Sequence, residues 1–159
     1  MAIRAALMAF FLIGLAATSD AQSPDLKVNL IARKVTSADG KEKLVPADKA
    51  RPGEVIQYDA NYHNGGSAAL RNVGAILPVP AGLILLPDSA QPAAPEASLD
   101  GKTFEPVPLT RQVINASGIT VNEPVPLAEY RALRWNLDEV PAGGSTTVTL
   151  RARVANGAK

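Results

Sequence analysis

The sequence contains no cysteine, and this absence excludes several ways of stabilising or anchoring an exported domain. Without thiols the chain forms no disulfide and no structural zinc site built on thiolates. A lipid anchor attached to a cysteine after an N-terminal apolar run is excluded for the same reason. A domain of this kind must therefore be held together by packing alone.

Histidine and tryptophan are rare in the sequence, and the net charge is small. His63 and Trp135 are the only residues of their types, and the formal net charge is +1. With one imidazole and no thiol, a metal site would need oxygen ligands and a hard cation, and the acidic residues have no Asp-x-Asp spacing. A charge this small favours neither nucleic acid nor an anionic membrane as a partner. We therefore predict no metal, no cofactor and no nucleic-acid partner.

The first 21 residues have the order of a secretory signal peptide. A basic residue, Arg4, precedes the uncharged and mostly apolar run 5–17, and Ser19 and Ala21 supply the small residues of a cleavage site. The alternative is a retained membrane anchor, but a spanning helix needs about 20 apolar residues and this run is shorter. We expect cleavage after Ala21, a mature domain at 22–159 with its core at roughly 25–154, and a periplasmic or secreted protein without a membrane span.

Alternating hydrophobicity predicts several short strands in the rest of the chain. The pattern places Leu26, Val28, Leu30 and Ala32 on the buried side of a first strand. In the two last strands it buries Leu133, Trp135 and Leu137, and then Val148, Leu150, Ala152 and Val154. Turn signals such as Asp39-Gly40 and Asp100-Gly101 separate the strands. About seven to eight strands without a helical period favour an all-β fold, a single antiparallel β-sandwich.

The segment 58–66, YDANYHNGG, has the polar residues of an active site but the parity of a strand. Ile56, Tyr58, Ala60 and Tyr62 alternate with Gln57, Asp59, Asn61 and His63, and Asn64-Gly65-Gly66 suits a tight turn. Asp59 and His63 would lie about 13 Å apart along one strand, too far to pair directly. We interpret the polar set as the solvent face of an amphipathic strand, although a partner for His63 from another strand stays open.

The order of motifs resembles the bacterial conserved-repeat domain known as domain of unknown function eleven. The resemblance covers roughly residues 25–154 and rests on Gly53, Tyr58, Asn64, Gly66, Ala68, Asn72, Val73 and the segment 80–83, PAGL. The later segments SLDGKTF (98–104) and LRWNLDEVPAGGSTTVTLRARV (133–154) are similar as well. Leu77 departs from the family, which usually has a polar residue at that place. The resemblance implies an immunoglobulin-like sandwich in envelope or surface proteins and implies no catalytic residues.

Three further features have both a functional and a structural interpretation. Arg151, Arg153 and Arg134 would bind an anionic polymer if they formed one basic stripe, but a solvated face balanced by acidic residues is the simpler interpretation. Asn115-Ala116-Ser117 fits a glycosylation sequon, and the segment 92–95 fits a polyproline-recognition spacing. We interpret the sequon as chance and the proline segment as a loop.

The sequence thus predicts a non-catalytic structural or protein-binding module of the cell envelope, with another envelope or surface protein as its partner. The alternatives are a small exported hydrolase, which needs a nucleophile and base in contact, and a periplasmic chaperone-like accessory protein. No catalytic, cofactor-binding or metal-binding residue is assigned.

Overall fold

A computed structural model describes residues 26–93 and 95–156, and this part of the chain is an all-β fold of antiparallel strands. The expected signal peptide, residues 1–21, lies outside the described residues. Among the described residues there are eleven strands and one short 3-10 turn, Leu127–Glu129, against the seven to eight strands expected. The strands are β1 Leu26–Ala38, β2 Lys41–Pro46, β3 Val55–Asn64, β4 Leu70–Pro78, β5 Leu83–Leu85, β6 Glu96–Ser98, β7 Glu105–Pro106, β8 Thr110–Ile114, β9 Thr120–Pro124, β10 Ala132–Val140 and β11 Ser145–Val154.

Two sheets pack face to face in a sandwich-like arrangement. The five-stranded sheet has the order β2-β1-β3-β11-β5, and the four-stranded sheet has the order β4-β10-β6-β7. Strands β8 and β9 form a separate two-stranded hairpin. One hydrophobic cluster joins residues of both sheets, such as Leu150 on β11 and Leu133 on β10. We call the side of the five-stranded sheet that faces this cluster its inner face.

The predicted parity is confirmed for the strands at the centre of the fold. On β10, Leu133, Trp135 and Leu137 are buried. On β11, Val148, Leu150 and Ala152 are completely buried, and they lie opposite Ala60, Tyr58 and Ile56 of β3. Because directly opposite residues of an antiparallel pair share a face, the inner face continues from β11 through β3. These strands bury the core as the alternation predicted.

The burial predicted for β1 is wrong, although the strand itself is present. Val28 pairs with Tyr62 and Leu30 pairs with Ala60, so both lie on the inner face. Val28 is nevertheless 55% exposed and Leu30 51% exposed. The reason is the width of the four-stranded sheet, whose edge strand β4 lies over β3 and leaves β1 uncovered. We call Val28, Leu30 and Ala32, all three exposed, the β1 patch.

A buried polar side chain fixes the turns at one end of the sandwich. Asn64, fully buried at the end of β3, donates its Nδ2 amino group to the carbonyl oxygens of Ala68, Val140 and Pro141. Its Oδ1 accepts the backbone N–H of Gly66 at 3.0 Å. Asn64 therefore ties the turn after β3 to the end of β10, a role beyond the turn-forming one predicted from the sequence.

Candidate functional site: the faces and edges of the five-stranded sheet

The outer face of the five-stranded sheet carries a polar network centred on Asp59. Asp59 lies on β3, between β1 and β11, and its carboxylate accepts hydrogen bonds from residues of all three strands. Arg33 Nη2 donates to Oδ2 at 2.6 Å, while Gln57 Nε2 and Thr149 Oγ1 donate to Oδ1 at 3.0 and 2.8 Å. Both carboxylate oxygens are thus occupied by neighbours within the same sheet.

The expectation that Gln57 and Asp59 face solvent is wrong. They are only 9% and 8% exposed, because the long side chains of Arg33 and Arg151 lie against them from the flanking strands. Strand parity assigns a residue to a face but says nothing about cover from neighbouring strands. Among the buried side-chain nitrogen and oxygen atoms of the described residues, Arg33 Nε alone has no hydrogen-bond partner.

The network continues across the sheet through Arg151. Its Nε donates to Gln57 Oε1 at 2.9 Å, and its two terminal nitrogens donate to the two carboxylate oxygens of Glu42 at 3.0 Å each. Arg151 on β11 therefore reaches over β3 and β1 to the edge strand β2. The bidentate geometry is the strong form of this pair, but its exposure to solvent limits its contribution to stability.

Electrostatics keep Asp59 ionised. Burial raises the pKa of the Asp59 carboxyl, but hydrogen bonds from Arg33, Thr149 and Gln57 and the charge of Arg33 together hold it below its usual value. A general base works best when its pKa is near the operating pH and an oxygen is free to accept a proton. The geometry therefore assigns Asp59 to sheet stability rather than to proton transfer.

The structure gives His63 the partner that the sequence did not name. Its Nδ1 lies 3.0 Å from the hydroxyl oxygen of Ser145, which is directly opposite on β11. A serine–histidine contact is the minimum of a nucleophilic pair, but a working site also needs a third group that orients the imidazole. The hydrogen bonds of the described residues provide no such group for His63, and Asp59 serves the polar network of the outer face instead.

The three arginines do not form one stripe. Arg151 and Arg153 share the outer face of the five-stranded sheet, whereas Arg134 lies on β10 in the other sheet. Arg134 Nε donates to Glu96 at 2.7 Å, and its guanidinium lies 4.4 Å from the centre of the Phe104 ring. Pairing with Glu42 and Glu96 agrees with the interpretation that Arg151 and Arg134 are balanced by acidic neighbours.

The sequon and the proline segment fall at structural positions. Asn115 begins the β8–β9 turn, and its side-chain oxygen accepts the backbone N–H groups of Ser117 and Ile119. Pro92 provides the carbonyl oxygen that accepts the indole N–H of Trp135 at 2.9 Å. These contacts explain both residues as parts of the fold.

A free strand edge lies next to the β1 patch. Within residues 26–93 and 95–156, strand β4 pairs with β10 on one side and with no strand on the other. The backbone N–H of Val79 points towards β10, where it donates to Arg131, so the alternation of an antiparallel strand turns Gly74 and Ile76 the other way. In agreement, Tyr62 on the neighbouring sheet donates its hydroxyl to the Ile76 carbonyl at 3.3 Å. Apolar side chains and an open backbone edge therefore lie side by side.

The β8–β9 hairpin projects from the opposite side of the molecule. No Cα atom of these two strands lies within 8 Å of any other strand among the described residues. Its base is fixed by the buried Leu109 and Val125 and by an ion pair of 2.8 Å between Arg111 and Glu129. Ile114 is 74% exposed and Ile119 is 60% exposed at its tip.

An apolar groove of about 550 Å³ lies beside the base of this hairpin. Its walls include Leu86, Val107, Leu127 and Tyr130. The Tyr130 hydroxyl already accepts the backbone N–H of Leu109 at 2.9 Å, which fixes the ring in place. Asp88 and Gln91 are the polar side chains that also line this groove.

The part of the chain that the structure describes contains no cluster of three metal-ligating side chains. No helix within residues 26–93 or 95–156 has the length and apolar character needed to cross a membrane. Comparison with protein-family models, with curated protein sequences and with solved structures finds no match. Function must therefore be argued from the faces and edges of the sheets themselves.

Proposed function

We propose that the protein is an exported, non-catalytic structural or protein-binding module of the bacterial cell envelope, located in the periplasm or outside the cell. The observation that carries this proposal is the β1 patch. A module whose work is done by contact needs an accessible apolar surface, and contiguous exposed apolar side chains on a folded domain mark interaction sites. The resemblance to domain of unknown function eleven, with its immunoglobulin-like sandwich, supports the same class of function.

The pairing of charges on the outer face supports placing the contact on the inner face. The carboxylates of Asp59 and Glu42 are already paired with Arg33 and Arg151, so the centre of the outer face is internally satisfied. The β1 patch has no such internal partners. Burial of an exposed leucine or valine on binding contributes roughly 25 cal/mol for each Å² removed from water.

Site-specific photo-crosslinking in the envelope of the native host tests the proposal. A photoreactive residue replaces Leu30 on the inner face, and the matched control replaces Ile31, which is 44% exposed on the opposite face of the same strand. We expect a discrete protein adduct from position 30 and none from position 31. Equal, diffuse labelling from both positions would contradict a contact at the β1 patch.

Export is tested separately by intact-mass measurement of the periplasmic fraction. The mature chain should begin at Gln22, because residues 1–21 have the order of a cleavable signal. A full-length product in the membrane fraction would refute export as a soluble protein.

The contact of Ser145 with His63 is the observation that favours a hydrolase as the second candidate. In that case Ser145 would be the nucleophile and His63 the base, and a fluorophosphonate probe would label Ser145 in the wild type but not in His63→Ala. Absence of labelling in the wild type leaves the non-catalytic proposal in place.

A further inference from the structure

We propose that copies of this chain join head to tail, with the β8–β9 hairpin of one copy seated on the β1 patch of the next, beside strand β4. This inference rests on the proposed function as a structural module, and it names the partner as a second copy of the same chain. Most of the large apolar residues that are exposed in the described part lie on β1, on β4 or on the hairpin: Val28, Leu30, Ile31, Ile76, Ile114 and Ile119. Val28, Leu30 and Ile119 lie on the faces proposed to meet, whereas Ile31, Ile76 and Ile114 lie on the opposite faces of their strands.

The acceptor surface has the two properties that strand addition requires. At Gly74 and Ile76 the backbone groups of β4 point away from β10, and of these the Ile76 carbonyl also accepts the Tyr62 hydroxyl. The β1 patch forms an apolar floor beside that edge, at the level where Val28 pairs with Tyr62. A strand added to β4 would continue the four-stranded sheet and cover Val28 and Leu30. Backbone hydrogen bonds then give affinity, and the alternating side chains give register.

The β8–β9 hairpin is suited to supply the strand that is added to β4. Among the described residues β8 and β9 pair only with each other, so the outer edge of each strand is free in this part of the chain. Its register places Val113 opposite Val121, and Ile119 follows on the same face because its carbonyl accepts the Asn115 N–H. An isolated two-stranded hairpin is marginally stable in water, and its addition to a larger sheet removes that weakness. Val113, Val121 and Ile119 therefore form an apolar face suited to the floor on β1.

The two surfaces lie on opposite sides of the fold, which decides the geometry of assembly. The base of the hairpin follows β7 and lies near β5 and Tyr130, at the far edges of both sheets. The β1 patch and the free edge of β4 lie at the other edges. The hairpin of one copy therefore does not reach the β1 patch of the same copy. The contact between copies joins two different surfaces and is heterologous. Such a contact repeats from copy to copy and gives an open chain. The net charge of +1 places little repulsion between the copies.

The absence of cysteine makes directed disulfide crosslinking a sharp test. Cysteine replaces Leu30 in one variant, Ile119 in a second, and both residues in a third. Under mild oxidation, we expect the mixed single variants to give a covalent dimer, and the double variant to give a ladder of multimers. The matched control pairs Ile119→Cys with Asn29→Cys, which is one residue away on β1 and faces outward. That mixture should give no dimer above the level of each variant alone.

Sedimentation of the wild-type protein provides the second measurement. The weight-average sedimentation coefficient should rise with concentration, and either Leu30→Lys or Ile119→Lys should abolish the rise. Unchanged melting curves of these variants confirm that they fold. A wild type that stays monomeric, or crosslinking of Leu30→Cys chiefly to itself, overturns head-to-tail assembly.

The photo-crosslinking experiment separates failure of this inference from failure of the proposed function. An adduct between position 30 and a different envelope protein, with a monomeric wild type, overturns self-assembly and leaves the binding function in place. Absence of any adduct and of any self-association overturns both.

Discussion

Asn64 offers the most direct test of what holds this fold together. Its side chain is fully buried, and it hydrogen-bonds to three carbonyl oxygens and one backbone N–H. These groups belong to the turn after β3 and to the start of the turn between β10 and β11. Substitution by alanine removes all of these bonds and leaves the buried carbonyl of Val140 without its Asn64 donor.

The expected cost is set by the number of bonds that the amide can make. An NH₂ group has only two protons, so the three contacts of Nδ2 amount to two full hydrogen bonds, and Oδ1 adds one more. At about 1 kcal/mol of net stability for each bond, Asn64→Ala should cost about 3 kcal/mol. This is a large part of the roughly 5 to 15 kcal/mol that stabilises a typical domain. Asn64→Asp should cost at least as much, because a carboxylate oxygen would face three carbonyl oxygens.

Urea denaturation followed by Trp135 fluorescence measures this cost. The midpoint should fall while the slope of the transition stays constant, which indicates lost stability rather than an altered unfolded state. Asn61→Ala is the matched control on the same strand, since its bond to Thr147 is exposed to solvent. We expect that control within about 0.5 kcal/mol of the wild type. If Asn64→Ala lowered the free energy of unfolding no more than Asn61→Ala does, the stabilising role of the buried Asn64 hydrogen bonds would be refuted.

Three further predictions concern a core residue, the histidine and acid stability. Trp135 is 4% exposed, so its native emission should be blue-shifted and poorly quenched by iodide, and Trp135→Ala should cost roughly 3 to 5 kcal/mol; red-shifted native emission with an unchanged melting curve would contradict this. His63→Ala should change stability by less than about 0.5 kcal/mol in thermal melts, and loss of tight metal binding or of an activity would overturn our interpretation. Hydrogen bonds from the backbone N–H groups of Lys102 and Thr103 and from Ser98 lower the pKa of Asp100 from 3.8 to about 2. A carboxyl with a lowered pKa stabilises the fold above its unfolded value, so this contribution should disappear as the pH falls from about 3.8 to about 2. Acid titrations of the wild type and Asp100→Asn should differ in that window, and identical curves would show that the linkage is absent.

Alternation in the sequence predicts the central strands well because their environment is uniform. Val148, Leu150 and Ala152 alternate with Thr147, Thr149 and Arg151, and β11 is covered on its inner face along this whole run. When one face is buried throughout, alternation specifies both the strand and its orientation. The core residues of these strands could therefore be predicted from the alternation in the sequence.

The exposure of the β1 patch could not be predicted from the sequence, because the burial of a strand depends on the sheet that packs against it. Val28 and Leu30 have the same alternation as Leu133 and Trp135. Whether such residues are covered is decided by the width of the opposing sheet, which is a property of distant pairing. Among the described strands the four-stranded sheet ends at β4. The local pattern of residues 26–38 contains no information about where that other sheet ends.

The polar network was missed for a related reason. Gln57 and Asp59 alternate with apolar residues and thus have the pattern of a solvent face. Their burial requires Arg33 and Arg151, which lie beside them on the flanking strands β1 and β11. These strands are distant from β3 in the sequence. A sequence reveals complementary charges but not the register that brings them together. His63 and Ser145 illustrate the same limit, since 82 residues separate the two members of the contact.

The two faces of the five-stranded sheet differ in what they leave unsatisfied, and this difference favours the inner face as the place of contact. On the outer face, Asp59 and Glu42 accept from Arg33 and Arg151 within one molecule, so a partner would have to break existing bonds before forming new ones. On the inner face, Val28 and Leu30 remain in contact with water, and the neighbouring edge of β4 has no strand partner among the described residues. A partner that covers this place releases water from apolar surface and pairs an open edge at the same time. We therefore place the proposed contact at the β1 patch beside β4 rather than on the charged outer face of the same sheet.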